Sequence, residues 1–508
     1  MSGDQGGSTA VGRRRPSREQ VLAVLVIFVV AFLARFLPTM RGSGLFGINY
    51  YDDGVHYAAA TGLVHGQLPY RDFLLLHPPG IVLALAPFAA VANWIGDARG
   101  FALARLAFMA LGGLNAVLVS RFLRPVGVFA AWTGGLAYAL FWPAIYSEHT
   151  VLLEGLANTC LLVALLLATP IARTAQPTTA KLLIAGAALG FAATIKIWGV
   201  VPILLLFGWL IFRSGPRRAG IFLAGAAAGT TVVCLPFFLA APATMWKMVV
   251  VDQVERNVIP LPAVERLNEI MGFSLYRVPH EWTTALVVSL ALLLLASVAA
   301  CIEPRTRSSV LLMIGMGALL LSTPSWFVHY TALTAAVVAI IVGAGAQRLI
   351  DLPGVRRVGW LRIALGAVVI GGMVLGSLPI ATASIGNKFP GRTLGAATAD
   401  RPGCVTSDHP STLILMNVIS RNLERGCPLV VDLGGASYHL DSPERGVTTR
   451  RHNDVFQVYA LDYLRSGDTM IIARFRRNFG LNADSWKTVQ SWPVVERAGG
   501  YTLRQPPR

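Results

Sequence analysis

The first 382 residues alternate between long apolar runs and short breaks in which arginine is the commonest charge. The runs occupy positions 21–37, 101–120, 127–146, 150–169, 182–198, 200–212, 219–239, 283–301, 309–323, 328–346 and 362–382. About 20 apolar residues in a helix cross the hydrocarbon of a bilayer, so the spacing predicts eleven spanning helices. One further apolar stretch, 79–94, is shorter, begins at Pro78-Pro79 and is interrupted by Pro87. It reads as helices lying in the outer interface.

Charge sets the direction of threading. Arg13, Arg14, Arg15 and Arg18 precede the first run, and later basic clusters are Arg121/Arg124, Arg173/Lys181, Arg213/Arg217/Arg218, Arg305/Arg307 and Arg348/Arg356/Arg357/Arg362. Two runs separate each cluster from the next, which puts all of them in the cytosol as the positive-inside rule requires. Counting 79–94 as a span would reverse every later cluster, so parity excludes it. The first run, with small residues at 31–34, also has the look of a signal peptide. Arg35 directly after them, and the ten later spans that need a start, favour a retained anchor.

The expected layout is a cytosolic basic tail (1–19), a membrane domain (20–383) with outer loops at 38–100 and 241–282, and an extracytoplasmic domain (384–508). Turns at 147–154, 196–198 and 322–329 reach the same outer face, where nearly every unusual polar residue of the membrane portion lies. Composition agrees: 54% of the 508 residues are hydrophobic and 14% charged, against about 25% charged in soluble domains. The net charge of +17 belongs to the loops between runs; no aromatic-basic groove or nucleic-acid module is visible, and no nucleic acid is expected as a partner.

From Arg401 the sequence turns polar. Strands are expected at 404–406, 429–433 and 470–475, with helices at 411–425, where Ser411 is placed to cap, and at 455–464. Alternation of this kind predicts a small α/β layer. Gly434-Gly435 reads as turn chemistry, because a lone glycine pair is weak evidence for a nucleotide site. Cys160, Cys234 and Cys301 lie in or at spans and read as packing residues. Cys404 and Cys427 precede two expected strands, and adjacent parallel strands could bring them into bridging range; bridged and free both stay open. No Cys/His spacing resembles a zinc site.

Candidate chemistry concentrates in the first outer loop. It carries Tyr51-Asp52-Asp53-Gly54-Val55-His56-Tyr57, then 66–73, then His77-Pro78-Pro79. Two adjacent acids near His and Tyr can supply a general base beside an orienting group, and they can equally cap a helix. Glu148, His149 and Glu154 flank the start of another run, and an acid there must face a cavity or a partner. Lys196 either snorkels to headgroups or holds a phosphate. Asp252, Gln253, Glu255, Arg256 and Arg266 fall in the third large outer segment, either as a solvated ion-pair network or, for Arg256, as a fork for phosphate oxygens. His329-Tyr330 opens a span and also suits an interfacial aromatic belt.

The acid pair, Tyr57, Gly66-Gln67-Leu68-Pro69-Tyr70-Arg71-Asp72-Phe73 and His77-Pro78-Pro79 together resemble the GT-C membrane glycosyltransferases. Within that superfamily they are similar to protein mannosyltransferases that use dolichyl-phosphate mannose and to bacterial aminoarabinose transferases acting on lipid A. Glu154 to Asn158, Thr194 to Lys196, His329-Tyr330 and Gln253 to Arg256 resemble weaker signatures. The resemblance implies a mainly α, polytopic GT-C bundle that moves a hexosyl or pentosyl group from a polyprenyl monophosphate to a glycan, lipid or protein acceptor at the outer face of the cytoplasmic membrane. It implies Asp52 as the group activating the acceptor, with Asp53 where many relatives carry glutamate. Glu154 would orient acceptor or base, with Glu148 in reserve; Lys196 and Arg256 would bind the donor phosphate; Tyr57, His77, His329 and Tyr330 would contact substrate. No cofactor is expected, although a divalent cation stays open. A transporter of lipid or sugar and an inactive scaffold for envelope assembly are the competing readings.

Sidedness can be tested directly. An Asp52→Cys variant, in a chain whose own cysteines are replaced, is expected to react with an impermeant thiol reagent added outside intact cells; labelling only after permeabilisation would overturn the topology.

Overall fold

The computed structural model describes residues 18–169, 176–254, 261–273, 283–440, 450–477 and 480–507. The membrane portion begins with α1 (Arg18–Arg41), α2 (Tyr51–Val64), α3 (Gly80–Ile95), α4 (Asp97–Leu123), α5 (Val128–Leu140), α6 (Trp142–Glu148), α7 (Leu153–Ala168), α8 (Thr179–Ile195), α9 (Val200–Ser214) and α10 (Pro216–Ala240). It continues with α11 (Pro242–Trp246), α12 (Asp252–Val254), α13 (Ala263–Ile270), α14 (Thr283–Ile302), α15 (Arg307–Ser322), α16 (Ala335–Ile350), α17 (Pro353–Arg357) and α18 (Gly359–Thr382). Each of the eleven apolar runs is helical. Among the described residues seven helices are long and apolar enough to cross a membrane, or eight if the bent pair α5–α6 is one span. The 79–94 stretch is a helix, α3, among the shorter apolar ones.

Helices on the rim show lipid-like solvent their apolar side chains. Leu22 and Leu25 on α1, Leu292 and Leu295 on α14 and Trp360 and Ile363 on α18 are all exposed. A belt of this kind is what hydrocarbon would cover. Of α18 only Ile380 is buried.

Packing inside the bundle uses two devices. The first is close helix approach. Gly186 and Gly190 on α8 face Gly225 and Gly229 on α10, and a Cβ on any of the four would strike a backbone carbonyl of the opposite helix, that of Phe222, Ala226, Leu183 or Ala187. Small residues four apart let membrane helices meet backbone to backbone. The second is a buried polar knot: Arg35 Nε donates to Glu148 Oε2 at 2.8 Å, and Glu148 Oε1 accepts from Asn115 Nδ2 at 2.7 Å and the Tyr138 hydroxyl at 2.6 Å. Asn158 extends the knot to the Ala332 carbonyl at 2.8 Å. A fully buried charge survives only when paired and hydrogen-bonded, so Glu148 is committed to holding α1, α4, α5 and α6 together.

The C-terminal domain adds α19 (Gly391–Ala396), α20 (Pro410–Leu415), α21 (Ile419–Glu424), α22 (Leu433–His439), α23 (Asp454–Arg465) and α24 (Ala483–Ser491). Its strands are β1 (Val405–Ser407), β2 (Thr469–Ile471), β3 (Arg476–Arg477), β4 (Gly480–Leu481), β5 (Val494–Ala498) and β6 (Tyr501–Arg504). One sheet runs β1-β2-β6-β5, with β1 parallel to β2 and the other pairs antiparallel; β3 and β4 form a separate parallel pair.

Four sequence expectations need correcting here. The helix over 411–425 is two helices, broken at Asn417, whose φ of 56° is a left-handed conformation that asparagine tolerates. Ser411 does not cap; its hydroxyl leaves the helix for Asp53. Residues 429–433 are not a strand, because Asp432 caps α22 by accepting from the Gly435 N–H at 2.6 Å, which also places Gly434-Gly435 in a helix start. The strand at 470–475 stops at Ile471 because the Asp408 carboxylate takes the N–H groups of Ala473, Arg474 and Phe475 and turns the chain. The β5–β6 hairpin was legible but unread: Gly499-Gly500, both at positive φ, is a two-residue turn signal.

The glycine crossing is open to test. Gly190→Leu is expected to destabilise the protein by about 1–3 kcal/mol or more through overpacking, read as a lower unfolding temperature in detergent. Gly208→Leu, where a side chain meets open space, should leave it unchanged.

Candidate functional site

The acid pair sits in the first turn of α2, after Tyr50 in extended conformation. Consecutive helix positions point about 100° apart, and here that splits two like residues into two environments. Asp53 faces inward and is fully buried: Oδ2 accepts from Arg105 Nη2 at 2.8 Å and Thr150 Oγ1 at 2.7 Å, and Oδ1 accepts from Ser411 Oγ at 3.1 Å. Arg105 is itself spent, donating to the carbonyls of Leu45 and Gly47 at 2.8 Å each and lying 4.0 Å from the Phe101 ring centre. Asp52 faces outward with a side chain 31% exposed.

Beside Asp52 the 3-10 turn Val328–Thr334 presents His329. Its Nε2 lies 3.9 Å from Asp52 Oδ2 and 3.9 Å from Glu154 Oε1, too long for hydrogen bonds but close enough for charge to be felt. Glu154, in the first turn of α7, accepts from Lys196 Nζ at 2.7 Å. Lys196 is buried rather than reaching for headgroups, with Nζ 3.6 Å from the Tyr330 ring centre and 4.3 Å from that of Trp198. Cation–π contacts of this kind hold an ammonium in place. The result is a line of alternating groups, Asp52, His329, Glu154 and Lys196, contributed by four elements far apart in sequence.

Aromatic rings wall the line. Tyr50 meets His329 at 5.1 Å and Tyr146 at 6.3 Å, and Phe327 lies 5.8 Å from His329. His77 lines a narrow cleft with Lys196, Trp198, Gln253 and Tyr330, and Gln253 bonds the Leu76 carbonyl across it. The sequence reading passed over Tyr50 and Tyr146 as binding groups and over Arg105 altogether. Tyr50, next to the acid pair, was the one with a local signal.

The other expected site residues fall elsewhere. Tyr57 is buried, bonded to the Phe88 carbonyl at 3.3 Å and packed on Phe101, so it seats α2 on α3 and α4. Arg266 spends its guanidinium on backbone carbonyls, Thr323 at 2.7 Å and Leu261 at 2.9 Å among them. Arg256 lies outside the described residues. Cys404 and Cys427 form a disulfide that joins the start of β1 to the end of α21 rather than two strands. Among the described residues no three His, Cys, Asp or Glu side chains are grouped as metal ligands.

The C-terminal domain is bonded to α2 and to the start of α4. Besides Ser411 to Asp53, Ser420 donates its N–H and hydroxyl to Asp97 at 3.2 and 2.5 Å, and Asn417 accepts from the Ala98 N–H at 2.9 Å. Tyr51 donates to Asp432 at 3.0 Å. On the other flank, Asp252 Oδ2 bonds His439 Nδ1 at 2.7 Å, and Lys247 reaches the His439 carbonyl at 2.7 Å. Burial raises the Asp252 carboxyl, but His439 and Lys247 outweigh it and hold the group below the ordinary carboxylate range.

No family model matches the sequence, and no curated protein matches it. Solved structures do. ArnT from Cupriavidus metallidurans bound to undecaprenyl phosphate is similar over 95% of this chain and 97% of its own, with a TM-score of 0.60 and 16% identity. The Archaeoglobus fulgidus oligosaccharyltransferase tethered with an acceptor peptide is similar over 89% of this chain and 69% of its own, with a TM-score of 0.56 and 12% identity. At such identities the likeness is one of fold: the chain has the GT-C membrane fold.

The split of the acid pair makes a stability prediction. Asp53→Asn leaves the Arg105 charge buried without its counter-ion, and breaking such a pair costs about 3–5 kcal/mol. Asp52→Asn should cost far less, and matching thermal melts for the two variants would show that the clamp on Asp53 contributes nothing.

Proposed function

We propose that this protein is a multi-pass membrane glycosyltransferase that takes a sugar from a polyprenyl monophosphate and passes it to a hydroxyl of an envelope acceptor on the outer face of the cytoplasmic membrane. The observation that carries the reading is Asp52, held part-exposed by a rigid neighbour and separated from the buried Lys196 by His329 and Glu154. A base at one end of a short line and a cation at the other suit a reaction in which a proton leaves one oxygen while negative charge grows on another. The fold supports the donor class: the ArnT structure holds undecaprenyl phosphate, and the oligosaccharyltransferase also occurs in complex with dolichol-phosphate.

In this mechanism the acceptor oxygen attacks the anomeric carbon, passing its proton to Asp52. The bond from that carbon to the phosphate oxygen breaks, and the polyprenyl phosphate departs with the electron pair. The anomeric centre passes through an oxocarbenium-like state, flanked by His329 and Tyr330. Lys196 stabilises the departing phosphate, a role strengthened by its burial, and Arg256 is the second cation that the resemblance assigns to the donor phosphate. Glu154 keeps Lys196 charged and aimed, and His77 lines the donor side. Asp53 and Tyr57 act at one remove, fixing the register of α2. Phosphate is already an anion as it leaves, so a general acid matters little.

The decisive measurement is transfer from a radiolabelled polyprenyl-phosphate sugar to envelope extracts by the protein in proteoliposomes. Asp52→Asn is expected to slow transfer by about 10²–10⁴-fold with little change in melting temperature. Unchanged transfer in that variant would remove Asp52 from the chemistry, and movement of lipid across the bilayer without sugar transfer would favour a transporter.

A further inference from the structure

A cavity of about 770 Å³ opens between the first outer loop and the C-terminal domain. Among the described residues its walls include Asn49, Tyr50, Tyr51, Lys388, His409 and Arg474, and no aspartate or glutamate. Three buried nitrogens on these walls, Asn49 Nδ2, His409 Nδ1 and Arg474 Nη1, have no hydrogen-bond partner. Buried polar atoms are nearly always paired, so three unpaired ones on residues around one cavity point to a polar occupant there.

Each is presented by a fixed local structure. Ser43 bonds the Asn49 side-chain oxygen, which leaves the amide nitrogen unpaired beside the cavity. Asp408 binds the backbone of residues 473–475 and turns the chain off β2, bringing the Arg474 guanidinium 3.6 Å from the Tyr51 ring centre. Of the carboxylates nearby, Asp408 is engaged with that backbone, Asp432 with Tyr51 and the start of α22, and Asp53 with Arg105, while Asp52, beside His329, also acts on His409 without lining the cavity. Among the described residues Arg474 therefore makes no ion pair. Burial and the Arg474 charge push His409 down to about 3, so its ring is neutral and carries one N–H. Lys388, exposed at the wall, adds a second positive charge.

The cavity also adjoins the reacting groups. Tyr50 lines it and touches His329 on its other side, and His329 is 3.9 Å from Asp52.

We infer that this cavity is a subsite for an oxyanion, a phosphate or carboxylate that the acceptor carries beside the hydroxyl attacked through Asp52. A guanidinium offers two parallel donors matched to two oxygens of such a group, and Asn49 and His409 supply donors to the rest. Lys388 attracts the anion to the entrance. The anion is held as an anchor and is not itself glycosylated. The inference rests on the proposed function for its meaning, but the site can be tested apart from catalysis.

The test uses the full chain in phosphatidylcholine nanodiscs, with glycerol 3-phosphate as probe and glycerol as its neutral counterpart, read by saturation-transfer NMR. Wild-type protein is expected to bind the phosphate at least tenfold more tightly than glycerol. Arg474→Gln should weaken that binding at least tenfold and Lys388→Gln about threefold. Asp52→Asn should keep it, which separates loss of this site from failure of the transfer mechanism. Phosphate binding lost in Lys196→Gln but intact in Arg474→Gln would locate the anion at the donor cation and overturn the proposal. So would equal binding of phosphate and glycerol, the result for a cavity that holds only water.

Discussion

A carboxylate in an apolar wall must be paired or neutral, and the arrangement at Asp53 follows from that demand. Arg105 from α4, Thr150 from the turn before α7 and Ser411 from the C-terminal domain all converge on its two oxygens. Three elements are thus tied to a single side chain, and α2 can neither rotate nor slide without breaking all three ties. Asp52 inherits its direction from this neighbour. A flexible loop could carry the same acid, but its position would be an average; here it is a consequence of helix geometry.

The same economy governs the other end of the line. Glu154 and Lys196 compensate each other in the interior, and the rings of Tyr330 and Trp198 fill the remaining space around the ammonium. Buried pairs seldom add much stability over an apolar substitute. Their presence at the mouth of a membrane bundle fits preorganisation better, with charge fixed in advance where charge will develop.

Much of the fold could be read from the chain because hydropathy and arginine placement are properties of segments. Helices occupy every apolar run. The site was legible only in part. Asp52, Glu154, Lys196 and His329 announced themselves as ionisable groups beside apolar runs. What separates Asp52 from Asp53 is a partner 52 positions away in sequence and another 358 away, and no local pattern carries that information. Arg474 was invisible for a related reason: its exposure to the cavity is set by Asp408 binding the backbone around it, which truncates what alternation alone reads as a longer strand. Glu148 stood in reserve behind Glu154; both are buried in ion pairs, and what tells them apart is that the partner of Glu148 is Arg35 inside the bundle while Glu154 lies beside His329 and Lys196.

The last membrane helix has a different status from the rest. Since α18 buries only Ile380, the C-terminal domain is seated chiefly by side-chain bonds from Ser411, Ser420, Asn417, Asp432 and His439. That helix can then change among apolar residues at little cost to packing, provided it stays apolar and long enough, while the domain's place depends on polar contacts that hydropathy alone would never single out.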